Sequence, residues 1–410
     1  MFQAFLLLGL LAPQDAGSLK DLIDQALLRN PEIRAARKKL ESARQKPAME
    51  RSRPDPMLGI GYQSSGGPLP GQGLGQEPTA NIGFMVSQTL PAAGKLRLRE
   101  RVALKEADAM SQEYWQAQLA VIARLKTAWH QLHHAYALTG ILERNRDLLE
   151  RVLKVTEARY AVNKAAQQDL LKAQTQLTLL EARLTKAAQE KRSREAEINM
   201  LCARPLESPV PEPPDMGPEE SIVTLDRLYE QAKAWSPMLL RDRHNIERTE
   251  LALNLARKEG SPDYTVSAGY YNMGSMPPMF MAKVDFNLPL FTRNRQRAAV
   301  AEQAHSLEAA RRSYQATGNT LLFKIKDDWL MSAAAWKLVR IYSTTLMPQA
   351  ALTLESSLNS YETGQVDFLT VLMNLMAVLN AEMSYHEALM DYHLSLSRLE
   401  EMTGLVLLEE

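Results

Sequence analysis

The chain is written twice. A pattern near its start, Leu19-x-x-Leu22-x-x-x-Ala26-x-x-x-Asn30-Pro31, returns about two hundred residues later as Leu225-x-x-Leu228-x-x-x-Ala232-x-x-x-Ser236-Pro237. Gly61-Tyr62 returns as Gly269-Tyr270, and Thr89-Leu90-Pro91 as Asn287-Leu288-Pro289. Late in each copy, Tyr160-Ala-Val-Asn163 with Asp169 beyond it answers Tyr361-Glu-Thr-Gly364 with Thr370 beyond it. Asn and Gly tolerate positive φ, so Asn163 and Gly364 mark a helix end or tight turn in each copy. The correspondences keep one order and define two units, 18–204 and 222–405. A Pro-rich segment over 205–221, which cannot be helical, joins them, and 406–410 is left as a tail.

Within each unit the hydrophobic period changes in the same sequence. A helical stretch at about 19–50, and again at about 225–258, is followed by two strand-like runs. These are 57–63 with 81–90, and 264–272 with 279–290, so a strand hairpin is expected over 57–90 and another over 264–290. The alternation is plain in Ile82, Phe84, Val86 and in Ala282, Val284, Phe286, Leu288. After Pro91 and Pro289 a helical pattern runs for about sixty-five residues, to Tyr160 and Tyr361; second helices then occupy about 167–203 and 366–404. Val121, Ala128, Ala135, Leu142 and Leu149 recur every seven residues, with Leu125 and Leu132 between, which is coiled-coil spacing. A helix of that length measures roughly 100 Å at 1.5 Å per residue, far beyond what a compact domain uses.

Lys+Arg and Asp+Glu are both 48. The absent net charge argues against non-specific nucleic-acid binding, which needs a basic footprint. Cys202 is the single cysteine, so neither an intrachain disulfide nor a cysteine metal cage can form. Met1–Ala12 is an apolar run too short to span a bilayer and is followed by polar residues, so 1–17 is expected to be an export signal. No other segment reads as a spanning helix. Entry into a membrane therefore needs strands of a closed barrel. Four strands per chain cannot close one; two chains make a filled eight-stranded barrel, and three make twelve strands with a lumen.

The repeat, the hairpins followed by Pro, Leu288-Pro289-Leu290-Phe291 with its basic run, and Tyr361-x-x-Gly364 before Val371-Leu372 resemble the TolC family of outer-membrane efflux ducts. The resemblance covers about Leu19 to Leu405. It implies a mostly α fold with a membrane β-barrel contribution. Long antiparallel helical hairpins would form a periplasmic α-barrel, and four strands per chain would complete a trimeric twelve-stranded β-barrel. It implies a homotrimer in the bacterial outer membrane, reaching into the periplasm and in contact with outer-membrane lipid. Such a duct conducts small molecules or ions passively, delivered by an inner-membrane transporter through a periplasmic adaptor protein, with neither catalysis nor cofactor. It also implies that helix ends beyond the Tyr-x-x-Gly turn close the periplasmic tip. The matching positions are Asp169, Thr370 and Met373, with Asp367 nearby; only the first copy keeps an acid there. Asp169 is equally read as a carboxylate favoured by the dipole at a helix start.

Cations recur after both hairpins: Lys95, Arg97, Arg99, Arg101, then Arg293, Arg295, Arg297. At the start of a helix they oppose its dipole, and contact with anionic headgroups at a membrane rim would supply the reason; a solvated face is the plainer alternative. His130, His133 and His134 have helical spacing but lack acidic partners, so no metal is assigned to them. Met273, Met276, Met279 and Met281 are more simply apolar filler than thioether ligands. Gly71-Gln-Gly73-Leu-Gly75 lies between strands and is not a nucleotide loop. A periplasmic coiled-coil scaffold or adaptor without a pore is the competing function. It accounts for the helices but not for the paired hairpins.

Overall fold

A computed structural model describes residues 18–407 except 65–67, 216, 218, 221–222 and 288–292. The expected export signal and the Leu288–Phe291 motif lie outside the described residues. The chain packs as two compact units, and each draws on both sequence copies. One takes the chain up to Ala36, Trp115–Ser236 and Gly318 onward; the other takes Arg37–Tyr114 and Pro237–Thr317.

The first unit is helical. Helix α1 (Leu19–Arg29) starts on a capping box, in which Ser18 Oγ accepts from the Asp21 amide at 3.2 Å and Asp21 Oδ2 accepts from Ser18 N at 3.2 Å. It stops at Asn30, because a residue before proline is pushed out of the α region. The stretch expected to be continuous over 19–50 is therefore divided into α1, α2 (Pro31–Ala43) and α3 (Lys46–Arg51). Ser236-Pro237 divides the second copy in the same way, into α6 (Leu225–Trp235) and α7 (Pro237–Lys258); α3 and α7 belong to the second unit. Asn30 serves both sides of its break. Its Oδ1 accepts from Glu32 N at 2.8 Å, and its Nδ2 donates to Leu201 O at 2.8 Å.

Helix α4 runs unbroken from Lys95 to Ala161, 67 residues, and α5 spans Gln167–Leu201. Their counterparts are α8 (Arg293–Ile341), a π-helical segment (Tyr342–Leu346), α9 (Met347–Glu362) and α10 (Phe368–Thr403). Pro348 follows the π segment. It has no N–H to offer the carbonyl four residues back, and its ring crowds that carbonyl, so the widened turn relieves an α-helix at that point. Of the heptad residues in α4, Val121, Leu125, Ala128, Leu132, Ala135, Leu142 and Leu149 all have no exposed surface. The last two share one core cluster with Ala173 and Leu180 of α5, Leu354 and Tyr361 of α9, and Phe368, Leu375 and Leu379 of α10. Each buried leucine contributes about 1.5–3 kcal/mol by leaving water.

Helix α10 corrects one expectation: by length and composition it is apolar enough to cross a membrane. Its Val371, Leu375, Leu379, Leu389, Leu396 and Leu399 are buried within this unit, but only 33% of its apolar window is buried. The Pro-rich segment is strapped to the same unit by side chains. Asn199 Nδ2 donates to Leu206 O and Ser208 O, and the Tyr392 hydroxyl donates to Glu219 O at 3.0 Å.

The second unit contains an antiparallel sheet in the order β1-β2-β3-β4, formed by Met57–Gln63, Asn81–Leu90, Tyr264–Met273 and Met276–Phe286. The central β2–β3 ladder joins the two sequence copies, from Ile82↔Asn272 to Leu90↔Tyr264. Strand β4 starts earlier than expected and includes Pro277 and Pro278. It is an edge strand, where prolines are tolerated, and the register is irregular beside them, between Tyr271 and Met273.

Candidate functional site

The sheet sorts its side chains onto two unlike faces. Successive residues of a strand point to opposite sides, so the registers fix which residues share a side. One side carries Leu58 and Ile60 of β1, then Ile82, Phe84 and Val86 of β2. It continues with Val266, Ala268 and Tyr270 of β3, and Phe280, Ala282, Val284 and Phe286 of β4. Phe84, Tyr270 and Phe280 make a row across three strands, with ring centroids 5.9 and 5.4 Å apart. This side is open to its surroundings: Ile60 is 79% exposed, Phe280 76% and Leu58 64%. Gln88 and Asn272 fall on this side at its two ends, and the apolar surface between them belongs against lipid or another apolar partner.

The other side carries Asn81, Ser87, Thr89, Thr265, Ser267, Lys283 and Asp285. Ser267 Oγ donates to Ser87 Oγ at 3.0 Å, Thr89 and Thr265 hydroxyls meet at 3.1 Å, and Lys283 pairs with Asp285 at 2.9 Å. Gly59, Gly61, Gly83 and Gly269 strip this side of bulk. Tyr271 lies across two of these glycines: a Cβ on Gly83 would stand 2.3 Å from both the Tyr271 ring and the Tyr270 carbonyl oxygen. Met57, Met85, Met279 and Met281 are on this polar side, whereas Met273 and Met276 form the irregular pair at the end of the β3–β4 ladder. Filling the apolar surface is therefore not what those four methionines do.

The cations after the hairpins do not act as a set. Lys95 is 2% exposed. Its Nζ lies 2.9 Å from Asp263 Oδ1 and 3.3 Å from Glu259 Oε2. Asp263 Oδ1 also accepts from Ala92 N at 2.7 Å. Burial pushes the Asp263 carboxyl up, but the Ala92 amide and the Lys95 ammonium outweigh it and leave it below the usual range. Arg99 bonds Glu259 at 2.8 Å. Lys95 thus faces neither lipid nor open water in this chain; it fastens the end of β2 to the start of β3. Arg97, Arg101, Arg295 and Arg297 are exposed. The sequence did carry a signal for the missed partner, since Pro54-Asp55 and Pro262-Asp263 precede β1 and β3 alike.

In the helical unit the two turns are alike. Asn163 has φ 60° and Gly364 φ 81°. Lys164 N donates to Arg159 O and Asn163 N to Tyr160 O; Gln365 N donates to Ser360 O and Gly364 N to Tyr361 O. Each is a Schellman turn with a left-handed residue closing the helix. Asp367 caps α10, its Oδ1 accepting from Thr370 N at 2.9 Å and from Thr370 Oγ1 at 2.5 Å. Those two bonds hold its carboxyl below the usual carboxylate range. Asp169 Oδ2 stands 3.4 Å from Ala166 N at the start of α5. Met373 is 63% exposed. Behind the turns, Arg159 donates to the Tyr361 carbonyl and lies 4.5 Å over its ring, while Thr156 Oγ1 and the Tyr361 hydroxyl meet at 3.1 Å.

The histidines of α4 find aromatic company in α10. His130 stacks on His393 with ring centroids 4.6 Å apart, and His133 lies 6.4 Å from His386. His386 and His393 continue the seven-residue series of Leu372 and Leu379, a signal present in the sequence that isolates them as inward residues. His133 Nε2 is also 3.9 Å from Asp215 of the Pro-rich segment.

The family model described as outer membrane efflux protein matches residues 22–203 and again 228–405, once over each copy of the repeat. No curated protein matches significantly. A membrane protein of Pseudomonas aeruginosa superposes with a TM-score of 0.81 at 17% identity, over 94% of this chain and 93% of that one. The outer membrane protein VceC of Vibrio cholerae gives 0.79 at 19% identity, over 94% and 96%. The CmeC outer membrane channel of Campylobacter jejuni gives 0.78 at 16% identity, over 94% and 85%. The chain belongs to the outer membrane efflux protein family, as an outer-membrane exit duct that extends into the periplasm and not as an enzyme.

Proposed function

We propose that three copies of the chain pool their strands into one twelve-stranded barrel. Through it, small molecules or ions pass without energy input of the duct's own. The observation that carries this reading is the four-stranded sheet with one apolar side, one polar side and two open edges. In lipid an open edge leaves backbone N–H and C=O groups without partners at several kcal/mol each, so the sheet must be closed by other copies. Three is the smallest number that leaves a lumen, which the polar side would line. Cargo would arrive from an inner-membrane transporter through a periplasmic adaptor. The turns at Asn163 and Gly364, with Asp169, Asp367, Thr370 and Met373 beyond them, would form the closed periplasmic end. Arg97, Arg101, Arg293, Arg295 and Arg297 would meet anionic headgroups at the inner rim, an arrangement worth on the order of 1 kcal/mol per cation. Native mass measurement in detergent tests the assembly: three chains per particle are expected, and a stable monomer refutes the barrel.

A further inference from the structure

The sequence repeat aligns Gly61 with Gly269 in the first strands of the two hairpins, and Leu90 with Leu288 where each hairpin ends. Carried onto the β1–β2 ladder, this alignment turns Met57↔Ser87 into Thr265↔Asp285 and Ile60↔Phe84 into Ala268↔Ala282. Both are pairs that β3 and β4 make. The repeat is therefore a repeat of strand register as well as of sequence. The chain also contains one ladder between copies of the repeat, β2 on β3, in which Gln88 faces Val266, Val86 faces Ala268 and Phe84 faces Tyr270.

We propose that β4 of one subunit pairs antiparallel with β1 of the next in the register of β2 on β3. The same alignment then places Phe286 opposite Leu58 of the partner subunit, Val284 opposite Ile60 of the partner subunit, and Ala282 opposite Tyr62 of the partner subunit. The occupant of both open edges is thus a second copy of this chain, and this inference rests on the trimer reading above.

The register has two consequences that suit a barrel in lipid. All six of those residues lie on the apolar side of the sheet, whereas a slip of one residue would turn one strand's apolar side chains onto the polar side. The second is the tilt. A row across one chain passes Gly59, Met85, Gly269 and Met281, and the proposed seam continues it to Gln63 of the partner subunit. The row climbs four residues in four strand steps. At about 3.3 Å per residue and about 4.8 Å per strand, the strands tilt by about 35°, within the range that outer-membrane barrels adopt.

Cysteine pairs test the register, in a Cys202→Ala background that removes the one native thiol. Ile60 and Val284 belong to opposite edge strands with two strands between them, roughly 14 Å, beyond the reach of a disulfide within one chain. The pair I60C/V284C is expected to give covalent trimers on a non-reducing denaturing gel. The yield should exceed that of I60C/A282C and I60C/F286C, the two-residue slips, by roughly tenfold. A slipped pair that cross-links best overturns the register, as does failure of all three pairs in a particle that native mass shows to be a trimer. A monomer by native mass refutes the trimer and the seam together.

Discussion

Among the described residues Lys95 is the largest charged side chain to lose nearly all contact with water, and its burial is tolerable only because two carboxylates and a carbonyl meet it. Asp263 and Glu259 are 33% and 39% exposed, so they recover some hydration when the ammonium is removed. Lys95→Met should therefore cost about 1–3 kcal/mol, below the loss expected for a fully dry pair. Thermal melting of the detergent-solubilised protein checks it, with Asp263→Asn as the second arm of a double-mutant cycle. His386 offers the opposite case. Burial, then His133 and His134, push its pKa down to about 4 against the pull of Asp215. Unfolded, it would titrate near 6.5, so as pH falls the unfolded chain takes the proton first. The stability it contributes is whole above about pH 6.5 and is lost as pH falls toward 4. At pH 5 the variant His386→Leu, which continues the Leu372 and Leu379 series, should melt roughly 2–4 °C above the parent, and the gap should close above pH 7.

A strand in this protein has two chemically opposite neighbours one residue apart, so adjacent substitutions should behave in opposite ways. Phe280 is on the apolar side and Met281 on the polar one, and both are exposed. An arginine at a lipid-facing position near the bilayer midplane costs about 2–4 kcal/mol, while an arginine toward a lumen tunes selectivity. Phe280→Arg is expected to lower the amount of assembled protein in outer-membrane fractions severalfold. Met281→Arg should leave assembly intact and shift reversal potential toward anions. The reverse ranking would exchange the two faces. Helices show the same dependence on position: α4 is unbroken over 67 residues because no proline falls inside it, while Pro31, Pro237 and Pro348 each leave a break or a widened turn.

At the scale of the assembled duct, the two helix turns are the place to look for a gate. Asp367 already caps α10 through Thr370, so Thr370→Asp would set two carboxylates against each other at the same helix start. Met373 is exposed one turn further on. If three copies gather these positions around a closed periplasmic end, Thr370→Asp and Met373→Asp should each raise single-channel conductance in a planar bilayer severalfold through like-charge repulsion. Unchanged conductance in an intact trimer would place the constriction elsewhere.

The sequence by itself determined the order of elements, the two-fold repetition and the positions of both turns. These are local matters: period two or three and a half, proline before a break, Asn or Gly where φ turns positive. It also determined the heptad residues that are buried, since a seven-residue spacing leaves one stripe of a helix no other role. Tertiary structure decided what each recurring cation does. Lys95 and Arg97 are two residues apart in the same basic run, and only the arrival of Glu259 and Asp263 from the other copy of the repeat turns the first inward. The contents of the sheet faces were hidden for a related reason. Methionine reads as apolar in a hydrophobic pattern, and only the register, set by strands nearly two hundred residues apart in the chain, places Met85 and Met281 on the side of Ser87 and Lys283.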